Sequence, residues 1–154
     1  MLINVFIQNE AGSSRKNYHD EKTREFKFMK LVFRPYPYPY GFIVGTTASD
    51  GCNLDCYVIT ERPLQTGQAV ECEPIGLMEQ IEDGVEDHNV LARLAGEPAG
   101  MTAKTQATLI DFVQNVFRHI EGKQVRAGCF LPAPEAEAYI REHLDSVPGD
   151  WQLH

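Results

Sequence analysis

Two acidic turns carry the strongest chemical signal in this sequence. The first begins at Asp50 and leads to Asp55, and the second holds Glu82 and Asp87. Asp55 belongs to the apolar run 54–59, which we interpret as a strand, and an acid that faces inward from a strand must be paired or metal-bound to offset its desolvation. These carboxylates could all meet at one cation. The alternative is that the second turn is an ordinary solvated acidic loop.

A run of alternating tyrosines and prolines precedes the first acidic turn. The segment Tyr36-Pro37-Tyr38-Pro39-Tyr40-Gly41 excludes a regular helix, because each proline removes a backbone N–H and biases the residue before it towards extended geometry. Taken alone, the run is compatible with an amphipathic lid or a polyproline-like surface.

Length and composition predict one compact domain over residues 1–154, since 43% of the chain is hydrophobic and can bury a core. No stretch approaches the ~20 apolar residues of a membrane span, and no charged leader precedes an apolar block. Cys52, Cys56, Cys72 and Cys129 form neither a CxxC pair nor a dense disulfide framework. We therefore expect a cytoplasmic protein without a membrane partner.

The formal net charge is −8, which argues against an extended nucleic-acid surface. Affinity for a phosphate backbone comes mainly from neutralising cations. An excess of acids suits metal binding better, although a solvated acidic surface would produce the same count.

The hydrophobic pattern predicts many short strands followed by a helix, a strand and a helix. The predicted strands are 2–8, 26–33, 42–44, 54–59, 70–76, 90–92 and 125–131, and the predicted helices are 102–120 and 134–144. Pro74 places the fifth of these strands near a sheet edge, and 15–25 is interpreted as a polar, charged connection. This order indicates a small barrel with helices packed outside it.

Four segments of the chain match a known pattern. They are Tyr36 to Gly41 against Tyr-Pro-x-x-Tyr-Gly, Asp50 to Asp55 against Asp-Gly-Asp-Pro-hydrophobic-Asp, Pro63 to Gly67 against Pro-Leu-x-x-Gly, and Pro74 to Gly76 against Pro-hydrophobic-Gly. In these segments the chain resembles the soluble (family I) inorganic pyrophosphatases, apart from Cys52 and Asn53. The resemblance implies a mainly β fold with α, in which a small closed OB-like five-stranded barrel is flanked by two helices.

The resemblance also implies a function and a set of site residues. The reaction is the magnesium-dependent splitting of diphosphate into two phosphates, in a homo-oligomer. The implied metal ligands are Asp50, Asp55, Glu82 (an Asp in the family) and Asp87. The implied catalytic residues are Asp55, Cys52 and Tyr40. The implied substrate-binding residues are Lys16, Lys30 (an Arg in the family), Tyr40 and Arg118, the last standing with Phe117 where the family has Tyr-Lys.

Several site positions depart from the family. Cys52 replaces the central acid of the signature, Gln8 and Tyr18 stand where the family has Glu, and Asn89 replaces a phosphate-binding lysine. Cys52 has two interpretations. In one, a depressed thiol pKa or a softer ion such as Mn²⁺ or Zn²⁺ preserves the chemistry; in the other, which we favour, it is a small neutral filler.

We therefore predict a divergent inorganic pyrophosphatase with weakened or altered activity. The alternative is a catalytically inactive relative that binds a phosphate-containing ligand or a protein partner. A third candidate, an OB-like binder of oligonucleotides or sugars, is disfavoured by the net acidity.

Overall fold

The computed structural model describes residues 1–146. Its strands are β1 (Ile3–Asn9), β2 (Arg15–His19), β3 (Phe26–Leu31), β4 (Tyr40–Ile43), β5 (Asp55–Val58), β6 (Ala69–Glu82), β7 (Val85–Glu86), β8 (Asn89–Leu94) and β9 (Val125–Pro132). Its helices are α1 (Ala103–Asn115) and α2 (Ala133–Glu142). None of the helices described is long and apolar enough to cross a bilayer.

A closed ring of five strands forms the centre of the molecule. The strands pair in the order β1, β4, β5, β8, β6, and β6 pairs again with β1, which closes the ring. The 14-residue strand β6 continues past the ring and pairs there with β7 and β9. The predicted small barrel flanked by two helices is confirmed.

Strands β4 and β5 and most of β8 are buried on both faces, which explains their nearly continuous apolar sequences. Successive residues of β5 point to opposite sides, so that Cys56 and Val58 join a buried cluster with Ile140 of α2, whereas Tyr57 joins a second cluster with Phe112 of α1. Asp55 shares the face of Tyr57. The side of the barrel that carries α1 is therefore the side that carries the acid.

The strand containing Pro74 is not an edge strand of the barrel, but Pro74 itself lies at a gap in its pairing. It lies opposite Ala92 of β8, whereas on the other side of β6 the pairing with β1 ends at Cys72 and the pairing with β9 begins at Gly76. The register between β6 and β8 shifts between Pro74 and Gly76, and this bulge accommodates a residue that has no N–H to donate.

The first helix is shorter than its apolar pattern predicts. It ends at Asn115 instead of Ile120, because the Val116 carbonyl accepts a hydrogen bond from the Phe33 N–H at 2.9 Å. Tight turns follow, in which the Ile120 N–H donates to the Phe117 carbonyl. A tertiary contact thus replaces the helical one and changes the directions of the side chains after Val116.

Candidate active site

A cleft of about 400 Å³ opens between the barrel and the hairpin formed by β2 and β3. The end of α1 contributes Phe112, Val116 and Phe117 to its walls. Every residue predicted for the site except Arg118 lines this cleft: Lys16, Lys30, Tyr40, Asp50, Cys52, Asp55, Glu82 and Asp87. The acids of both turns and the lysines of the hairpin therefore face one space.

Strand pairing brings the acids of the two turns together. Asp55 begins β5, and its neighbour in the parallel strand β8 is Asn89. Asp87 comes just before β8, and its carboxyl lies close enough to those of Asp55 and Glu82 for their charges to act on one another. Glu82 ends β6, and the chain reverses through Asp83-Gly84, where both residues adopt positive φ.

Burial and mutual repulsion favour protonation of Asp55 and Asp87. Burial raises the pKa of Asp55 well above its usual value, and the charge of Asp87 raises it further, while Lys16 opposes the shift. Burial together with the hydrogen-bonded, charged Glu82 raises the pKa of Asp87 to about 6. Asp50 adds to this repulsion. Such carboxyls hold protons that a divalent cation would displace.

Tyr40 supports Asp55 from the neighbouring strand. Its side chain lies near the Asp55 carboxylate and opposes the rise of the Asp55 pKa, and its ring packs 4.8 Å from that of Tyr57, its partner in the register of β4 and β5. Burial raises the pKa of Tyr40 well above its usual value, so the hydroxyl remains a donor. The next residue must be Gly41, since a Cβ there would lie 1.7 Å from the Phe6 carbonyl oxygen.

Cys52 lies on the first acidic turn, where its N–H donates to Asp50 Oδ1 at 2.9 Å. Partial burial raises the pKa of the Cys52 thiol, and the charges of Glu21, Asp50 and Asp55 raise it further. The interpretation that rests on a depressed thiol pKa is therefore wrong for the protein alone, because the surroundings of the thiol are mainly acidic. A neutral thiol agrees with the interpretation of Cys52 as a filler.

The two lysines of the hairpin lie directly opposite each other in the antiparallel register of β2 and β3. Lys16 Nζ lies 5.3 Å from the Tyr18 ring centroid and 5.6 Å from that of Tyr40, and Lys30 Nζ lies 5.9 Å from that of Tyr18. Like charges on directly opposed strand residues destabilise a sheet. An anion in the cleft would relieve this repulsion.

Arg118 is the one predicted site residue outside the cleft lining. Because α1 ends early, its guanidinium lies on the outer side, 5.5 Å from the Phe33 ring centroid. Lys123 lines the cleft instead, with Nζ 2.5 Å from Glu82 Oε1 and 5.0 Å from the Phe117 ring centroid. Sequence inspection missed Lys123, since it reaches the cleft only through the turns after the helix.

A second residue that sequence inspection missed is Glu21, in the turn between β2 and β3. It lines the cleft, and its Oε1 accepts a hydrogen bond from the Asn53 N–H at 2.9 Å. Burial raises the pKa of Glu21, and the charge of Asp50 raises it further. Nothing distinguishes this glutamate from its charged neighbours in the sequence.

Two of the substituted positions make contacts of their own within the cleft. Gln8 Nε2 lies 3.5 Å from His19 Nδ1. The ring of Tyr18 stacks on that of Phe28 across the hairpin, with centroids 4.6 Å apart. Neither position supplies a carboxylate, so the negative charge of the cleft is concentrated in the two acidic turns and Glu21.

The donors of the cleft suit a hard cation. In the part of the chain that the structure describes, His, Cys, Asp and Glu side chains do not already form a group of three or more that could hold a metal ion. However, Asn89 is 2% exposed, its Nδ2 donates to Gln80 Oε1 at 2.8 Å, and its buried Oδ1 has no partner. An orphan oxygen beside Asp55, among carboxylates that repel one another, fits a cation that binds after small side-chain rotations.

Comparison with known proteins agrees with this geometry. A family model described as inorganic pyrophosphatase matches residues 5–147. An inorganic pyrophosphatase from Synechocystis is 38% identical over 90% of this chain and 86% of its own length. Another, from Halalkalibacterium halodurans, is 29% identical over 96% of both chains.

Solved structures resemble the fold as a whole. The crystal structure of an inorganic pyrophosphatase from Neisseria gonorrhoeae superposes with a TM-score of 0.84 at 25% identity, covering 92% of this chain and 88% of that chain. The similarity therefore extends over the barrel, the hairpin and both helices.

Proposed function

This chain belongs to the inorganic pyrophosphatase family, and from that premise we propose that it hydrolyses diphosphate to two phosphates in the cleft. The observation that carries the proposal is a pair of opposed lysines facing converging acids across one space. Diphosphate is a polyanion, and its hydrolysis needs positive charge on both the electrophile and the leaving phosphate. Lys16 and Lys30 supply part of that charge, and the acids provide sites for the rest.

We assign a divalent cation to the carboxylates of Asp50, Asp55, Glu82 and Asp87. Members of this family depend on divalent metals, and Mg²⁺ is our assignment because all four donors are hard oxygens. When bound, Mg²⁺ polarises phosphoryl oxygens and lowers the pKa of water. Mn²⁺ and Zn²⁺ are the alternatives, because a thiolate at Cys52 would be a softer ligand than a carboxylate.

Each remaining residue has a distinct role in this proposal. Asp55 is our assignment as the acceptor of the proton of the attacking water, because its carboxylate lies in the same cleft as the proposed cation ligands. Tyr40, whose pKa is raised by burial so that its hydroxyl stays protonated near Asp55, is assigned to orient that carboxylate. Lys16 and Lys30 hold the phosphoryl oxygens, whereas Arg118 has no role because it lies outside the cleft. The catalytic role predicted for Cys52 reduces to occupying space as a neutral thiol.

A second candidate function is ligand binding without turnover. Lys123 already neutralises Glu82 at 2.5 Å, and Cys52 contributes no carboxylate. Both features reduce the charge available to a cation. They favour weakened hydrolysis, and in the extreme case a protein that binds phosphate ligands only.

A phosphate-release assay with diphosphate separates the two. We expect turnover that requires Mg²⁺, is altered by Mn²⁺ or Zn²⁺, and is lost in Asp55→Asn but retained in the surface variant Glu25→Gln. Release no greater than the buffer background with any of these ions would refute hydrolysis. Stabilisation by diphosphate or Mg²⁺ in thermal melts without any release would instead establish the binding function.

Assembly and location remain predictions. We infer a homo-oligomer of single-domain chains in the cytoplasm, from the family membership and from apolar side chains that the described chain leaves in water. Phe26, Leu31 and Phe33 are each at least half exposed. Analytical ultracentrifugation tests the assembly, and a species with the mass of one chain, 17.4 kDa, would contradict it.

A further inference from the structure

Glu21 is a carboxylate that reaches the acidic turn from another element. It lies between β2 and β3, half-buried, and lines the same cleft as Asp50 and Asp55. One of its oxygens accepts the Asn53 N–H. Within residues 1–146 it forms no ion pair with a lysine, arginine or histidine. The charges of Lys22 and Lys16 act on it without a direct ion pair, and a half-buried carboxylate is costly unless a counter-ion joins it.

The next residue holds Glu21 in this place. Lys22 Nζ donates to the Thr46 carbonyl at 2.9 Å, to Thr47 Oγ1 at 2.8 Å and to Asn53 Oδ1 at 2.6 Å. The tip of the hairpin is therefore clamped to the barrel loop that carries the first acidic turn. The position of the Glu21 carboxylate follows from this clamp.

Cys52 and Asn53, the two residues that depart from the Asp-Gly-Asp-Pro pattern, both change the surroundings of Glu21. Cys52 removes an acid from the turn, and Asn53 supplies a backbone N–H that a proline at that position lacks. That N–H is the one that binds Glu21 Oε1, at 2.9 Å. The turn therefore lacks a carboxylate at position 52, and the N–H at position 53 holds the Glu21 carboxylate beside it.

We propose that Glu21 replaces the oxygen ligand missing at Cys52 and joins Asp50 and Asp55 in holding the divalent cation. This inference rests on the proposed function, because it adds a ligand to the same site. An independent observation supports a cation on this side of the cleft: the buried Oδ1 of Asn89, next to Asp55 in the parallel register, has no donor.

Glu21→Gln tests the ligand directly, since the amide oxygen can still accept the Asn53 N–H while the charge is lost. Glu25→Gln is the matched control, because it removes the same charge from an exposed side chain of the same turn. Isothermal titration with Mg²⁺, which needs no turnover, is the measurement. We expect Glu21→Gln to bind Mg²⁺ at least about tenfold more weakly, and Glu25→Gln to bind it like the parent.

A second variant tests the replacement itself. Adding Cys52→Asp to Glu21→Gln restores an acid to the turn, and we expect it to recover most of the lost Mg²⁺ affinity. Equal affinity of Glu21→Gln and Glu25→Gln would overturn the inference. So would a weakened Glu21→Gln that Cys52→Asp does not rescue, since Glu21 would then act only by positioning the hairpin. If the parent binds Mg²⁺ but releases no phosphate, the proposed function fails while the titration still decides the role of Glu21.

Discussion

The two walls of the cleft are built very differently. Asp55 belongs to a strand that is paired on both sides, with β4 and with β8, inside a closed ring. Lys16 and Lys30 belong to a hairpin whose strands pair only with each other, and its outward side chain Phe26 is 58% exposed. An isolated two-stranded hairpin is at best marginally stable in water. The wall that carries Asp55 is therefore held by more strand pairing than the wall that carries the two lysines.

Side chains tether the hairpin at two points. Asn17 Nδ2 donates to the Gln8 carbonyl at 2.6 Å, and the Lys22 clamp holds the tip. The two lysines lie next to Asn17, on the side away from the tip, and the rings of Tyr18 and Tyr40 lie near their ammonium groups. If this comparison is correct, the loss of Asp55 from the barrel wall should abolish the chemical step, whereas the loss of Lys16 or Lys30 from the hairpin wall should mainly weaken substrate binding.

The largest expected effect is that of Asp55→Asn. The variant loses the proposed proton acceptor and one cation ligand, so we expect kcat to fall by at least about 100- to 1,000-fold. The fold should survive, because the amide is isosteric and less costly to bury. Phosphate release gives the rate and thermal melting gives the stability. Asp111→Asn, on the exposed face of α1, is the control and should keep parental kcat.

Lys16→Ala and Lys30→Ala test the hairpin wall. Each removes a charge-assisted contact to phosphate worth roughly 1.5–3 kcal/mol, so we expect KM to rise about 10- to 100-fold with a smaller change in kcat. Lys27→Ala, an exposed lysine of β3 outside the cleft lining, should leave KM unchanged. A fall in kcat as large as that of Asp55→Asn would break the distinction between the two walls.

Acid should weaken Mg²⁺ binding at the barrel wall. Asp87, with its pKa raised to about 6, holds a proton below that pH, and the proton competes with the cation. We expect Mg²⁺ affinity to fall about tenfold per pH unit below 6 and to level off above it. Calorimetry in buffers of different ionisation enthalpy would detect the released proton. An affinity that is flat between pH 5 and about 7 would contradict this coupling.

The difference between the walls also explains what the sequence can and cannot predict. The barrel wall is predictable, because the acids of the first turn are close in sequence and follow a recognisable pattern. The strand β2 is missed since its hairpin has no fully buried face, so its residues show no alternation of apolar and polar types. Arg118 is misplaced because a hydrogen bond from distant Phe33 ends the helix at Val116. Lys123 and Glu21 enter the cleft through turns, which composition does not reveal.

The smallest expected effect concerns stability without metal, in Asp87→Asn. The pKa of Asp87 is about 6 in the folded protein against 3.8 for an ordinary aspartate. Between these values the unfolded chain binds fewer protons, so the parent loses stability as the pH rises through this window. The amide introduced by Asp87→Asn does not titrate. We therefore expect the free energy of unfolding of the metal-free variant to exceed that of the parent by roughly 1–2 kcal/mol at pH 8, or about 2–8 °C in Tm, and by little at pH 4.

Saturating Mg²⁺ should make the parent the more stable of the two proteins, because only the parent keeps all the proposed ligands. The hairpin variant Lys16→Ala should show no such pH-dependent gain in stability. An equal gain in Lys16→Ala would mean that the gain in Asp87→Asn does not come from repulsion among the acids.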